Sequence, residues 1–353
     1  MARVAVLRTK PETVIQDYEK LMYYARFKHY LPEDKGTILK LNLSWTKFYP
    51  ACSTPPWQLD GVLTALKNNG YEKIYPVENK TVVTKPVLGA KLNKWLPVLK
   101  KHNLDFIPLT KVEWENFTLK KELLALDDIF PRDFRIPKMF IGKNVLHLPT
   151  MKGHGHTTTT GAMKNAFGGL ITARRHHCHK KIHEVLVDLL TIQKEIHPSR
   201  FAVMDGTVAG DGAGPRTMTP RVANFILASN DMVAIDAISA RMMGFDPLKI
   251  RYIKLAHDMG LGCGDVRQID LVGDDVSNVN LRFSTGKSPV IFFDQLMRNH
   301  SHFIEKYLFH TKLFNMCIFG SEFYHDHLWY NTIGKHHINN FMKTGWGKLF
   351  RSY

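Results

Sequence analysis

Apolar residues recur in two rhythms along the chain, and the switches between them lay out its elements. Residues 2–8 alternate as a short strand. Pro11 to Tyr30 carries Val14, Tyr18, Leu21, Met22 and Ala25 at helical spacing, so one amphipathic helix is expected there. Gly36 to Leu43 reads as a buried strand running into a loop with Pro50, Pro55 and Pro56. Trp57 to Asn68 reads as a helix, with Gly70 where a C-terminal glycine cap belongs. Lys73 to Glu78 is a second strand. Strand, loop, helix, strand is a β-α-β unit, which implies parallel strands and a right-handed crossover.

Further on, Pro86 to His102 reads as a helix interrupted or bent at Pro97. Asp105 to Leu109 reads as a short strand, and residues 111–137 are irregular enough to cover an edge. Asn144 to Pro149 is a strand entering a turn. Lys180 to Glu195 carries a stripe of Ile182, Val185, Leu186, Leu189 and Ile192. Arg200 to Asp205 is a compact strand that opens into a glycine-rich loop, Gly206 to Arg216, followed by a strand over Asn224 to Ser229. Asp231 is placed to cap a helix running to Met243, Pro247 opens another, and Asp270 to Gly273 is a last strand. This alternation predicts an α/β fold: a mainly parallel β-sheet core with helices on both faces. Three segments follow. Residues 1–35 form an N-terminal strand and helix, and residues 36–296 the α/β core. Residues 297–353 are aromatic, basic and rich in histidine, and are expected to pack on the core as a C-terminal extension.

Composition narrows the class. Of the 353 residues, 44% are hydrophobic and 23% charged, ordinary for a soluble globular protein. An apolar run of about 18 residues is lacking, so a membrane-spanning helix is not expected. The apolar run at the N-terminus is too short for a secretory signal. Cys52, Cys178, Cys263 and Cys317 stand far apart without a Cys-x-x-Cys pair. That pattern argues against a disulfide framework and against an iron–sulfur cluster held by this chain's own cysteines, and it fits a reducing, cytoplasmic setting. The net charge of +16 would draw a small anionic molecule, or an acidic membrane surface through the C-terminal extension. Zinc-finger spacing and an aromatic RNA-binding signature are absent, which argues against nucleic acid.

The chemistry concentrates in Met151 to Leu170, a strand-to-helix passage filled with imidazoles, hydroxyls and lysines. Gly153 and Gly155 allow a ligand to approach the backbone, Thr159 or Thr160 could cap the following helix, and the free N–H groups at its start attract anions. Lys152, Thr157, Thr158, Thr159, Thr160, Asn165, Asn42 and Arg216 are candidates for holding an anionic substrate. His154, His156 and Lys164 are candidates for proton transfer. In an extended backbone His154 and His156 point the same way and could instead share a metal. The pattern is not a P-loop. Asp205 and Asp211 in the glycine-rich segment are candidate ligands for a divalent metal, against the alternative of a structural glycine turn. Arg174 to His183, if helical, aligns His176, His179 and His183 on one face, either as a zinc or iron site or as a hydrated basic surface. Asp236 lies within an apolar helix and needs a partner if buried.

These residues resemble the domain of unknown function 362 family. The likeness rests on Lys40-Leu-Asn-Leu, the Thr54-Pro-Pro loop, Met151-Lys-Gly-His-Gly-His, Thr160-Gly-Ala-Met-Lys-Asn, Asp205-Gly, Asp231-Met-Val-Ala-Ile-Asp236 and Gly260-Leu-Gly, spanning about residues 36–275. Some relatives carry ferredoxin-like iron–sulfur modules, so the resemblance implies a possible redox partner protein. At fold level the Thr-Pro-Pro loop and the His/Gly-rich loop also look like the lactate-racemase-type family, which uses a nickel cofactor; that is analogy alone. The leading expectation is an intracellular enzyme for a small phosphate or carboxylate substrate, with or without the assistance of a divalent metal. The alternatives are a redox or electron-transfer partner of an iron–sulfur protein, and a basic ligand- or lipid-binding protein without catalysis.

Overall fold

The structure, a computed structural model, describes the chain except for residues 82, 132–133, 172–174, 287, 291, 293–295 and 297–313 and the side chains of 175–176 and 314–315. Its strands are β1 (Ala2–Arg8), β2 (Thr37–Lys40), β3 (Ile74–Glu78), β4 (Ile107–Pro108), β5 (Trp114–Asn116), β6 (Arg135–Pro137), β7 (Asn144–His147), β8 (Thr150–His154), β9 (Thr158–Thr159), β10 (Arg200–Ala213), β11 (Thr217–Ser229) and β12 (Ile269–Gly273). The main sheet runs β12-β1-β11-β10-β7-β2-β3-β4, with β8 beside β10 and β9 folded back on β8. From β10 to β4 the neighbours are parallel; β11 is antiparallel to β10 and β1, and β12 is parallel to β1. All four residues of β2 and of β7 are buried, as strands covered on both faces should be.

Helices cover both faces. One core packs the sheet against α7 (Ala162–Leu170), α8 (Ile182–Ile196), α9 (Met232–Met243) and α10 (Arg251–Asp258). The other packs it against α1 (Val14–Tyr24), α3 (Pro56–Asn68), α5 (Trp95–Lys101) and the C-terminal helices Lys335–Lys343 and Gly345–Ser352. Successive side chains of β2 divide between the two: Ile38 faces the first core and Leu39 the second.

Three expectations are corrected. The helix expected over Pro11–Tyr30 is two, α1 and α2 (Phe27–Tyr30), because Arg26 adopts a left-handed conformation at φ 55°. The helix over Pro86–His102 breaks at Lys94, φ 59°, giving α4 (Pro86–Leu92) and α5. Pro97 sits in the first turn of α5, where a missing N–H costs nothing. Finally, Gly206 to Ala213 is not loop. It continues β10 for the rest of its 14 residues and pairs with β11 down to Ala213↔Thr217. Of the C-terminal extension, residues 297–313 lie outside the described residues; its last helices pack on the core, where Trp346 lies 5.2 Å from Trp57 and its Nε1–H donates to Asn224 Oδ1 at 2.7 Å.

Candidate functional site

The parallel strands end at Lys40 in β2, Glu78 in β3 and His147 in β7, and α7 lies across these ends. Lys40 is fully buried and paired with Glu78 at 2.9 Å; Glu78 also accepts from the backbone N–H of Leu43 and Asn79. A Cβ on Gly168 of α7 would stand 2.9 Å from Lys40 Nζ and 3.1 Å from Glu78 Oε1, so a larger residue there would displace the ion pair. His147 Nε2–H donates to Gln193 Oε1 at 2.6 Å, and burial pushes its pKa down to about 4. Asn165 donates to the Lys40 carbonyl at 3.0 Å, while its own buried Oδ1 makes no hydrogen bond.

Beside this floor, Lys152 projects from β8. It is buried, and Nζ donates to Asn42 Oδ1 at 2.7 Å, the Cys52 carbonyl at 3.0 Å and Thr150 Oγ1 at 2.5 Å. All three acceptors are neutral. Burial therefore pushes its pKa down to about 7, and the charge of Lys164 acts in the same direction. Cys52 is buried too, and its thiol is pushed up to about 11.

β8 turns tightly into β9, with Gly153 opposite Thr159 and His154 opposite Thr158. His154 is buried and held well below its ordinary range by that burial, and by Lys164, His156, His179 and Lys152. Its Nδ1 accepts the His156 backbone N–H at 3.1 Å, so the neutral ring carries its proton on Nε2. The His154 and His156 rings are 5.8 Å apart, brought together by the turn rather than by strand alternation. His156 is half-buried and stacks on His179 at 5.1 Å. The histidine-rich segment thus joins the central stretch, a meeting that sequence spacing did not reveal. Residues Arg175–Lys181 form a 3-10 helix and α8 begins at Ile182, so the single α-helical face expected for His176, His179 and His183 does not form. Arg174 and the His176 side chain lie outside the described residues.

The threonines bond inward. Thr157 Oγ1 donates to the Thr159 carbonyl, Thr160 Oγ1 to the Thr150 carbonyl, and Thr159 Oγ1 meets Tyr252 OH at 3.0 Å; Thr158 is half-buried. Neither Thr159 nor Thr160 caps α7. The cap position is Gly161, and the N–H groups of Ala162 and Met163 donate to Asp236 at 2.6 and 3.1 Å. The N–H groups expected to draw an anion to this helix start are therefore already taken by a side chain of α9. Burial pushes the Asp236 carboxyl up to about 8. Lys164, one turn into α7, is half-buried beside Phe167.

The remaining candidates lie apart. Asp205 faces the α1 and α3 layer, where Tyr18 OH, Trp57 Nε1 and Thr207 donate to it at 2.6, 3.0 and 2.9 Å. Asp211 faces the opposite layer, paired with Arg221 and with the Ser284 N–H at 2.7 Å. The two carboxylates point to opposite sides of the sheet and cannot share a metal. Among the described residues, no group of three His, Cys, Asp or Glu is arranged to hold a metal ion. Asp205 and Asp211 therefore do not together form the divalent-metal site expected from the sequence. Arg216, at the hairpin tip, donates to Ser321 Oγ of the C-terminal extension at 3.2 Å. Lys40, Glu78, His147 and Tyr252 were missed as neighbours of the site; Lys40 and Glu78 could have been found as charges inside apolar strands.

With this geometry in view, comparisons place the chain. The model of the domain of unknown function (DUF362) family matches residues 37–241, and the chain belongs to that family. A thylakoid-associated protein of Synechocystis sp. is similar: 31% identical over 121 residues, 33% of this chain and 37% of that protein. The match thus spans well under half of the relative's length. No solved structure matches the chain significantly.

Proposed function

We propose that the protein is an enzyme that binds a small phosphate- or carboxylate-bearing substrate over the β8–β9 turn. The observation that carries this reading is the gathering of Lys152, Lys164, His154, His156 and His179 around one turn, with the Lys152 ammonium buried among neutral acceptors. A cationic, partly desolvated cluster at the carboxyl ends of parallel strands favours an anion, and charge interactions there are stronger than in water. Lys164 would contact the anion, and Lys152 would add charge from beneath because its three protons are already engaged. His154 would donate through Nε2, and His156, half-buried, would move the proton. Asp205, Asp211 and Arg216 take no part in this proposal.

The test is thermal. Phosphate, pyrophosphate and short dicarboxylates should raise the melting temperature at low salt, and Lys164→Gln and His156→Gln should each lower the apparent affinity about tenfold or more. Stabilisation that is equal in wild type and both variants, or absent for the whole panel, would refute it.

For location, we propose an intracellular, reducing compartment, in line with four cysteines that are all free. A second reading, work at a membrane surface, is favoured by the name of the thylakoid-associated relative. Among the described residues no helix is long and apolar enough to cross a membrane, so contact would be peripheral.

A further inference from the structure

The helical stretch Phe314–Glu322 leads into the wider-coiled Phe323–Gly334, which has a side buried on the core and a side facing out. The inner side is fastened to the core. Trp329 is buried against Trp45 and Tyr49, Trp45 Nε1–H donates to Asp326 Oδ1 at 2.6 Å, and Tyr330 OH donates to the Phe48 carbonyl at 3.0 Å. The outer side carries Met316, Phe319, Phe323, Leu328 and Ile333, with Phe319 71% and Met316 70% exposed. Positions 316, 319 and 323 follow helical spacing, so they share one face. Single exposed apolar residues need no explanation, but five on one 18-residue span whose second half is fastened to the core do.

What surrounds this face indicates what covers it. Lys335, His336 and Lys343 follow on the next helix and are exposed. Glu322 is the acid exposed along the stretch, since Asp326 turns inward to Trp45. Among the described residues of the extension, Lys335, Lys343, Lys348 and Arg351 stand against Glu322 and Asp326, in a chain of net charge +16. Large apolar side chains followed by cations match the boundary between acyl chains and anionic headgroups.

We propose that the outer side of residues 316–343 is a docking face for an anionic lipid surface, lying in the interface without crossing it. The proposal rests on the membrane reading given above and is independent of the anion site.

Flotation of the full-length chain with vesicles tests it. Wild type should float with phosphatidylcholine vesicles containing about a third phosphatidylserine, more weakly with phosphatidylcholine alone, and less in high salt. Phe319→Ser/Phe323→Ser should cut partitioning about tenfold or more, with an unchanged melting temperature because both rings are exposed; Met316→Ser/Leu328→Ser is the independent second pair. Wild type that floats with neither vesicle overturns the membrane reading and the face together. Wild type that floats while both double variants float equally well overturns the face alone. Failure to float, together with self-association in sedimentation that the double variants abolish, assigns the face to a second copy and also overturns the proposal.

Discussion

Buried carboxyls and a buried lysine set opposite pH dependences. Asp236 is pushed from 3.8 up to about 8 by burial, so the folded protein holds that proton more tightly than the unfolded chain. Its contribution to stability is complete below about pH 4 and is lost as pH rises through about 8. Asp205, pushed up to about 6, acts in the same sense over a narrower window. Lys152, pushed from 10.5 down to about 7, acts in reverse: burying its ammonium costs stability below about pH 7, and the cost is relieved as pH climbs towards 10.5. Asp236→Asn should therefore flatten the fall in melting temperature between pH 5 and pH 8, while costing about 2 kcal/mol in urea unfolding at pH 5 because one α7 N–H then faces an amide. Lys152→Met should remove the rise in stability between pH 7 and pH 10.5. Parallel slopes in wild type and variant would contradict either assignment. Lys152, His154 and His156 were legible as candidates from residue type alone. Their protonation was not, because it depends on Asn42, Cys52 and Lys164, which the chain brings in from elsewhere.

Elements meet here through backbone, and glycine decides where. A Cβ on Gly161 would stand 2.1 Å from Asp236 Oδ1, so Gly161→Ala must push the carboxylate off the start of α7. A loss of about 3 kcal/mol is expected in chemical denaturation. A Cβ on Gly153 would stand 2.7 Å from the Gly212 carbonyl, where β8 presses on the far end of β10. Gly153→Ala should separate β8 from the hairpin and weaken ligand stabilisation as well as the fold. Gly320→Ala, in a helix with nothing within 4 Å of the added carbon, is the control and should leave the melting temperature unchanged or slightly raised. The β-α-β unit, α8 and the Asp231 cap were readable from periodicity and cap chemistry, and Asp231 does accept from the Val233 and Ala234 N–H groups. The long β10–β11 hairpin was not. Its glycines signal a loop, and only lateral pairing with β8 and β11 makes them strand.

At the scale of the molecule, the sheet separates two cores and the C-terminal helices close one of them. Trp346 fills the space over Trp57, and Phe350 stacks on Phe48 at 3.9 Å. Trp346→Ala should cost about 3–5 kcal/mol in urea unfolding. Deleting residues 314–353 should bare Trp45, Phe48 and Trp57 and drive aggregation, read by light scattering at a temperature where the full chain stays clear. Local pattern by itself determined the α/β class, most strand and helix positions, the aromatic cover at the C-terminus and the residues that make up the family likeness. Those properties depend on spacing along the chain and on side-chain chemistry, which are present before folding. Tertiary structure alone decided that Asp205 and Asp211 face opposite sides, that Asp236 fills the anion position at α7, and that His179 stacks on His156. Each depends on which face of the sheet a residue takes and on contacts between segments far apart in sequence, and neither is fixed until the strands pair.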